Sequence, residues 1–261
     1  MSKLGILGRY ISFLAKSGNE HSIHSPFVYN LYVKVIKSEY LVEDFDQIEN
    51  LRKELLQSSK KVKITDLGAG SRINNNTTRS IADIARNSEK SKSLARLLYR
   101  LANHTRPKII VDLGTSLGIT TIYLSKACPE SKIYTFEGCP ETAKIANQNF
   151  LNLNCSNISL VKGNIDQTLP EFVHKSTTLD FVFFDANHRF EPTMRYFKEC
   201  LIKATEESVF VFDDIYWSKE MAKAWEEIKA HPEVSLTIDL FYIGLVFFRK
   251  KQPKQHFKLR I

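Results

Sequence analysis

The chain is short of the features that mark secreted, membrane and zinc-ribbon proteins. Only four of its 261 residues are cysteine, Cys128, Cys139, Cys155 and Cys200. No CxxC spacing occurs among them, which argues against a zinc site or a disulfide framework and for reduced thiols buried as small apolar side chains. No apolar run reaches the roughly 18 residues a membrane span needs, and the opening MSKLGILGRYISFLAKSGNEHS is too broken by Gly, Arg and Lys for a signal peptide. Repeats and low-complexity linkers are missing too. A globular, cytoplasmic protein is expected, and 43% hydrophobic residues suffice for a substantial core. Acidic residues are scarce only at the ends. Residues 249–261 carry six Lys+Arg and no acid, residues 1–106 carry 18 against 10, and residues 107–248 carry 13 against 19. The net charge of +8 therefore lies on the two ends around an acidic middle. Those ends offer RNA or acidic lipid a surface, although scattered solvated lysines are the commoner outcome.

From Lys108 onward, β-branched and aromatic runs alternate with amphipathic stretches, the pattern of a parallel sheet flanked by helices. Strands are expected at 108–113, 132–136, 158–162, 179–184 and 208–212, with helices at about 119–128, 140–152, 189–203 and 218–230. The runs 235–242 and 245–249, joined through Ile243-Gly244, read as two final strands. A tight connection cannot join parallel strands, so at least one runs antiparallel to the rest. The first 106 residues differ in kind, with helical segments around 3–16, 26–37, 46–58 and 78–102. Residues 1–106 are thus expected to be a helical N-terminal extension, a lid or oligomer surface, before a core at 107–250 and a basic tail at 251–261.

One strand-to-helix turn can hold a ligand. Val111-Asp112-Leu113-Gly114-Thr115-Ser116-Leu117-Gly118 leads straight into a helix-compatible run; its glycines permit a tight turn, and the helix start offers N–H groups to a carboxylate. A Gly-rich turn alone can be structural. Here the next strand, Ile133-Tyr-Thr-Phe-Glu137, ends in an acid about twenty residues on, where such folds place an acceptor for ribose hydroxyls.

Together these features resemble class I S-adenosylmethionine (SAM)-dependent methyltransferases over roughly residues 105–250. The resemblance implies a Rossmann-like α/β fold with a mainly parallel seven-stranded sheet ending in an antiparallel hairpin. It also implies SAM held by Asp112, Gly114, Thr115, Ser116 and Gly118, by Glu137 and Gly138, by Asn164 and Ile165 near the adenine, and by Asp185. Asn164 stands where many such enzymes have Asp. A second loop, Asp66-Leu-Gly-Ala-Gly-Ser71, reads even more like the cofactor loop, but a polar stretch follows it and no acid-ended strand does. It is expected to be a turn.

In this topology ligands gather at the carboxyl ends of strands. Strand four finishes Asp185-Ala186-Asn187-His188, and strand five Asp213-Asp214-Ile215-Tyr216-Trp217. Converging carboxylates repel unless a cation lies between them or one is protonated, so Asp185, Asp213 and Asp214 are candidate ligands for Mg²⁺ or another divalent cation. His188 is then a candidate general base, with Asp185 beside it. Alternatively, the acids cap the helix near Ser218 or form a solvated turn, and His188 caps the helix after strand four. Tyr216 and Trp217 are candidate walls of a substrate pocket. So are His21 and His24, which precede a helix starting at Pro26.

The constellation resembles metal-dependent O-methyltransferases. Catechol- and caffeoyl-CoA-type enzymes place a metal Asp, then Lys, after strand four, and Asp-Asn after strand five; Asp185, His188 and Asp213-Asp214 fall on those positions with His for Lys and Asp for Asn. Macrocin-type sugar O-methyltransferases, with Asp-Gly-x-His and an Asp-Asp pair, fit better. No Asn-Pro-Pro-Tyr-like motif or strand-end Cys points to nitrogen or cytosine carbon. The expectation is methyl transfer to a hydroxyl of a small molecule, with a homodimer as a candidate assembly. The alternatives are an RNA-directed methyltransferase using the basic ends and a non-catalytic SAM-binding protein.

Overall fold

The computed structural model describes residues 3–38, 44–65, 78–250 and 252–261. The chain divides into two compact units, residues 39–168 and residues 1–38 with 169–261.

In the first unit, helix α3 (Asp44–Gln57) leads to a small antiparallel pair, β1 (Lys61–Lys63) and β2 (Thr78–Ser80). The Asp66–Ser71 loop lies outside the described residues. The single helix expected over 78–102 is instead β2, helix α4 (Ile81–Ser88) and helix α5 (Lys92–Thr105). Two serines explain the punctuation: Ser80 Oγ accepts the N–H of Asp83 and Ser91 Oγ that of Leu94, so each starts its own helix. Between them the buried Glu89 is drawn to Arg52 of α3 at 2.9 Å.

The pattern after Lys108 folds as expected. Strands β3 (Ile109–Leu113), β4 (Lys132–Glu137) and β5 (Ile158–Lys162) pair in parallel in that order, linked by helices α6 (Ile119–Ala127) and α7 (Pro140–Asn152). Helix α6 is buried on nearly every side, which is why its sequence shows little amphipathic periodicity. Its Tyr123 hydroxyl donates to Glu49 Oε1 at 2.7 Å. Glu49 also meets Arg52 at 3.3 Å and Lys92 at 2.9 Å. A charge cluster, buried at Glu49 and Arg52 and exposed at Lys92, thus ties α3 and α5 to the helix that follows the candidate cofactor loop. Burial, opposed by Arg52 and reinforced by Glu49, pushes the Glu89 carboxyl up to about 7.

Helix α8 (Ile165–Lys175), with Pro170 inside it, has no counterpart among the expected helices. Pro170 is in the sixth position, which disguised the helix in the sequence.

In the second unit the strand order is β10-β8-β9-β7-β6, where β6 is Phe181–Phe184, β7 Val209–Asp213, β8 Leu236–Asp239, β9 Ile243–Phe247 and β10 Gln255–Lys258. Helices α9 (Phe190–Leu201) and α10 (Lys219–Ala230) follow β6 and β7. β6 and β7 are parallel, and β9 runs antiparallel to both β7 and β8. The hairpin turn is Leu240–Tyr242, with Phe241 at φ 69°, not Ile243-Gly244. Gly244 lies inside β9 because a Cβ there would sit 2.5 Å from the ring of the buried Trp225. The basic end is ordered, β10 pairing in parallel with β8.

The N-terminal helices join this unit. Helix α1 (Lys3–Lys16) packs Tyr10 and Phe13 on Phe241, with ring centroids 4.9 and 5.4 Å away. Gly18 bridges to Leu259. Helix α2 (Pro26–Leu31), continued by a π-helical turn Tyr32–Ile36, sets Phe27 edge-on to Phe247 at 5.3 Å, and the Tyr32 hydroxyl donates to the Arg260 carbonyl at 2.7 Å. None of the helices among the described residues is long and apolar enough to cross a membrane.

Candidate active site

Two groups of candidate residues occur, one in each unit. In the first, the β3–α6 loop is shaped by left-handed backbone at Gly114 (φ 110°), Ser116 (φ 48°) and Gly118 (φ 86°). Asp112 is 1% exposed, and its Oδ2 accepts the hydroxyls of Thr121 at 2.6 Å and Thr135 at 2.9 Å. Thr135 in turn meets Thr115 at 2.6 Å. The motif's acid therefore braces the loop from beneath, through two threonines that the sequence reading did not single out. Gly118 also serves packing: a Cβ there would lie 2.5 Å from the Phe150 ring of α7. Because glycine is the N-cap and no side chain caps α6, the opening N–H groups of that helix are left to water or a ligand.

Glu137 sits beside this loop as expected. Its carboxylate accepts the Ser116 N–H at 2.7 Å and the Cys139 N–H at 2.8 Å. Burial raises its pKa, with those N–H groups pulling the other way. Each oxygen retains acceptor capacity for a further hydroxyl. The half-buried Gly138 follows it. Asn164 caps α8, its Oδ1 accepting the Asp166 N–H at 3.0 Å just ahead of Ile165, the first residue of the helix. An unanticipated neighbour is Ser88 at the end of α4, whose hydroxyl lies 2.7 Å from that of Ser116.

In the second unit, Asp185 just after β6, His188 three residues on, and Asp213 at the end of β7 bring their ligand atoms within 4.8 Å of one another. His188 Nε2 lies 3.5 Å from Asp185 Oδ1. Asn187 (φ 68°) and His188 (φ 39°) are consecutive left-handed residues, a conformation of roughly 1–3 kcal/mol each for non-glycine residues that persists only where the surroundings enforce it. Burial lowers the imidazole pKa, but Asp185, Asp213 and Asp214 outweigh it and hold it above its ordinary value. A divalent charge among the same acids would act in the opposite sense. Two carboxylates and an imidazole form a donor set that suits a divalent cation.

Asp214, which follows, has left-handed backbone (φ 54°) with its N–H bonded to the Tyr242 carbonyl at 2.8 Å, and its charge also acts on His188. The helix caps are accounted for otherwise. Ser218 Oγ caps α10 by accepting the Met221 N–H, and Arg189, not His188, holds the N-cap position of α9. Tyr216 donates its hydroxyl to Asp239 at 2.5 Å, and Trp217 is 42% exposed. His21 and His24 are both exposed between α1 and α2, His21 standing 3.9 Å from Glu20, and Pro26 opens α2 as the sequence suggested.

Residues 111–215, spanning both groups, match a family described as a methyltransferase domain. Catechol O-methyltransferase of Niastella koreensis is 27% identical over 128 residues, covering 48% of this chain. That stretch spans just over half of the relative's own length, 57%. The chain is also similar to an O-methyltransferase from Bacillus cereus in complex with S-adenosylhomocysteine (SAH). There the TM-score is 0.58 and the identity 18%, over 85% of this chain and 97% of that one. An O-methyltransferase from Streptomyces achromogenes involved in tomaymycin synthesis, in complex with SAM, gives a TM-score of 0.58 at 17% identity, covering 85% and 95%. An SAH-bound Podospora anserina methyltransferase reaches 0.61 at 13%, covering 87% and 97%. The fold is thus the Rossmann-like α/β methyltransferase fold, with a mostly parallel central sheet, an antiparallel hairpin and a helical N-terminal region, as the sequence led us to expect.

Proposed function

We propose that this chain transfers a methyl group from SAM to a hydroxyl oxygen of a small molecule, assisted by a divalent cation. The observation that carries this reading is the convergence of Asp185, His188 and Asp213 at the carboxyl ends of β6 and β7. Such a group suits a hydroxyl acceptor, which must be oriented and lose a proton, and has no evident use in a protein that only binds SAM. The relatives' names and the SAM or SAH in two of the O-methyltransferase structures support the same donor and acceptor atom.

On this reading SAM supplies an electrophilic methyl on a sulfonium centre. The uncapped start of α6 takes its carboxylate, Glu137 accepts its ribose hydroxyls, and Gly138, Asn164 and Ile165 complete its surroundings. The left-handed turns at Gly114 and Ser116 and the Thr115 brace keep the loop in shape for this. A cation, when bound, lowers the pKa of a hydroxyl and fixes its oxygen. Asp185 and Asp213 are the residues that would hold it, with Asp214 adding charge close by. His188 takes the hydroxyl proton, its imidazole oriented by Asp185 and the strained 187–188 turn. Tyr216 and Trp217 border the acceptor, and His21 and His24 lie on the N-terminal segment of the same unit. The four buried free thiols suit a reducing cytoplasmic setting.

The test is SAH formation from SAM over a panel of catechols, sugars and other hydroxyl compounds, with Mg²⁺, Mn²⁺ or chelator. Turnover that chelator abolishes and Asp213→Ala removes is expected. Turnover indifferent to both would refute the role of the cation, and SAH binding without turnover on any hydroxyl compound would refute methyl transfer to oxygen.

A further inference from the structure

We propose that Arg9, on the N-terminal helix, is a positioning residue for the acceptor side of the reaction, holding the Asp214–Trp217 loop through a backbone carbonyl. Arg9 Nη1 donates to the Tyr216 carbonyl oxygen at 2.8 Å, across 207 positions of sequence. The loop begins directly after Asp213, a member of the Asp185–His188–Asp213 group, so its position governs what can stand beside that group. Its assignment to the acceptor rests on the function proposed above.

The loop is held by backbone and side-chain contacts, its Ile215 buried and the Tyr216 ring 5.4 Å from that of Phe241. The Asp214 N–H bonds the Tyr242 carbonyl, and the Trp217 N–H closes a turn on the Asp214 carbonyl, each at 2.8 Å. Tyr216 is gripped from two directions. Its hydroxyl is fixed by Asp239, which Lys258 approaches to 3.7 Å, and its carbonyl is fixed by Arg9. The phenol's pKa is raised by burial and by Asp239, so the hydroxyl stays a donor.

Helix α1 is built to deliver the guanidinium. Tyr10 and Phe13 pack on Phe241, whereas Leu7 and Ile11 are more than half exposed. A guanidinium spent on a loop carbonyl is poor use of a charge for packing alone; a charged, forked donor holds an irregular backbone where no ladder partner exists. Residues 1–38 belong to the same compact unit as the acid–imidazole group, which places this control within one folding unit.

The chain has only two tryptophans. Trp225 is 1% exposed, and Trp217, at the end of the loop, is 42% exposed. Acrylamide quenching of the full chain therefore reads Trp217. Arg9→Ala is expected to raise the quenching constant about twofold as the loop opens locally. Arg9→Lys, which keeps one charged donor, should restore most of the wild-type value, and Ile11→Ala should change nothing. Mn²⁺, measured by electron paramagnetic resonance, should bind Arg9→Ala about tenfold more weakly, the scale of losing an outer support of a metal site, while calorimetric SAH affinity stays at the wild-type value. If Arg9→Ala does not fold, Arg9→Gln, too short to reach the carbonyl, takes its place. Unchanged quenching, or an equal change in Ile11→Ala, overturns the proposal, as does loosened Trp217 with unaltered Mn²⁺ affinity. Failure of the wild-type chain to bind SAH or Mn²⁺ would count instead against the proposed methyl transfer, leaving the quenching result to decide on the loop.

Discussion

Gly118 allows the packing around the candidate cofactor loop to be tested quantitatively. Substitution by alanine meets two separate obstacles. At φ 86° an L-residue pays roughly 1–2 kcal/mol for the left-handed backbone. The new Cβ would also lie 2.5 Å and 2.9 Å from two carbons of the Phe150 ring and 3.3 Å from the Ala146 Cβ. Phe150 is 4% exposed on α7 and cannot swing into solvent, so overpacking adds about 1–3 kcal/mol. The sum, about 2–5 kcal/mol, is a large part of a typical domain's stability and corresponds to a fall in Tm of roughly 4–20 °C at this chain length. Differential scanning calorimetry of Gly118→Ala, Phe150→Ala and the double variant separates the terms. Removing the ring should make alanine at 118 less destabilising, by the overpacking share, while the backbone share remains. A Gly118→Ala melting temperature equal to wild type, or strictly additive effects, would refute the reasoning.

Other consequences follow from buried groups. Tyr123→Phe strips Glu49 of a 2.7 Å donor and should lower stability by about 1–3 kcal/mol in urea unfolding, as a buried acceptor loses its partner. Because the folded pKa of Glu89 is about 7, above its unfolded value, its protonation favours folding below about pH 4.5 and that advantage is lost as pH rises to 7. Relative to Glu89→Gln, the wild type should therefore lose stability between pH 5 and 7; equal pH profiles would contradict this. Glu49, held below the ordinary carboxylate range against burial by Tyr123, Lys92 and Arg52, contributes in the opposite sense: its share is present above its unfolded pKa and is lost as pH falls. All four cysteines are buried, and burial raises the Cys128 thiol to about 11 and the Cys200 thiol further. A disulfide reagent should thus titrate none of the four rapidly before unfolding.

Much of the fold was legible because hydrophobic periodicity was strong after Lys108 and turns carried glycine or acids at fixed offsets. The strand ends at Glu137, Asp185 and Asp213 could be placed for that reason. Where one residue type served two purposes, the sequence was ambiguous. Gly244 reads as a turn but makes room for Trp225, and Pro170 hides a helix that tolerates it. Ser80 and Ser91 divide what looks like one long helix. The basic tail contains β10, since its pairing partner lies nineteen residues upstream and local charge says nothing of it. At the candidate site, residue identities could be read but not their partners. Asp112 turns inward to Thr121 and Thr135, Asp214 points its N–H at Tyr242, and the Arg9 contact spans nearly the whole chain.

The central claim, that the loop at Asp112–Gly118 together with Glu137 binds the methyl donor, is tested most directly by calorimetric titration of SAH into the wild-type chain and a folded Glu137→Ala variant. One SAH per wild-type chain is expected, with affinity falling about 10–100-fold in the variant, the scale of a lost charged hydrogen-bond acceptor. No binding to the folded wild-type chain, or equal affinity in both, would contradict it.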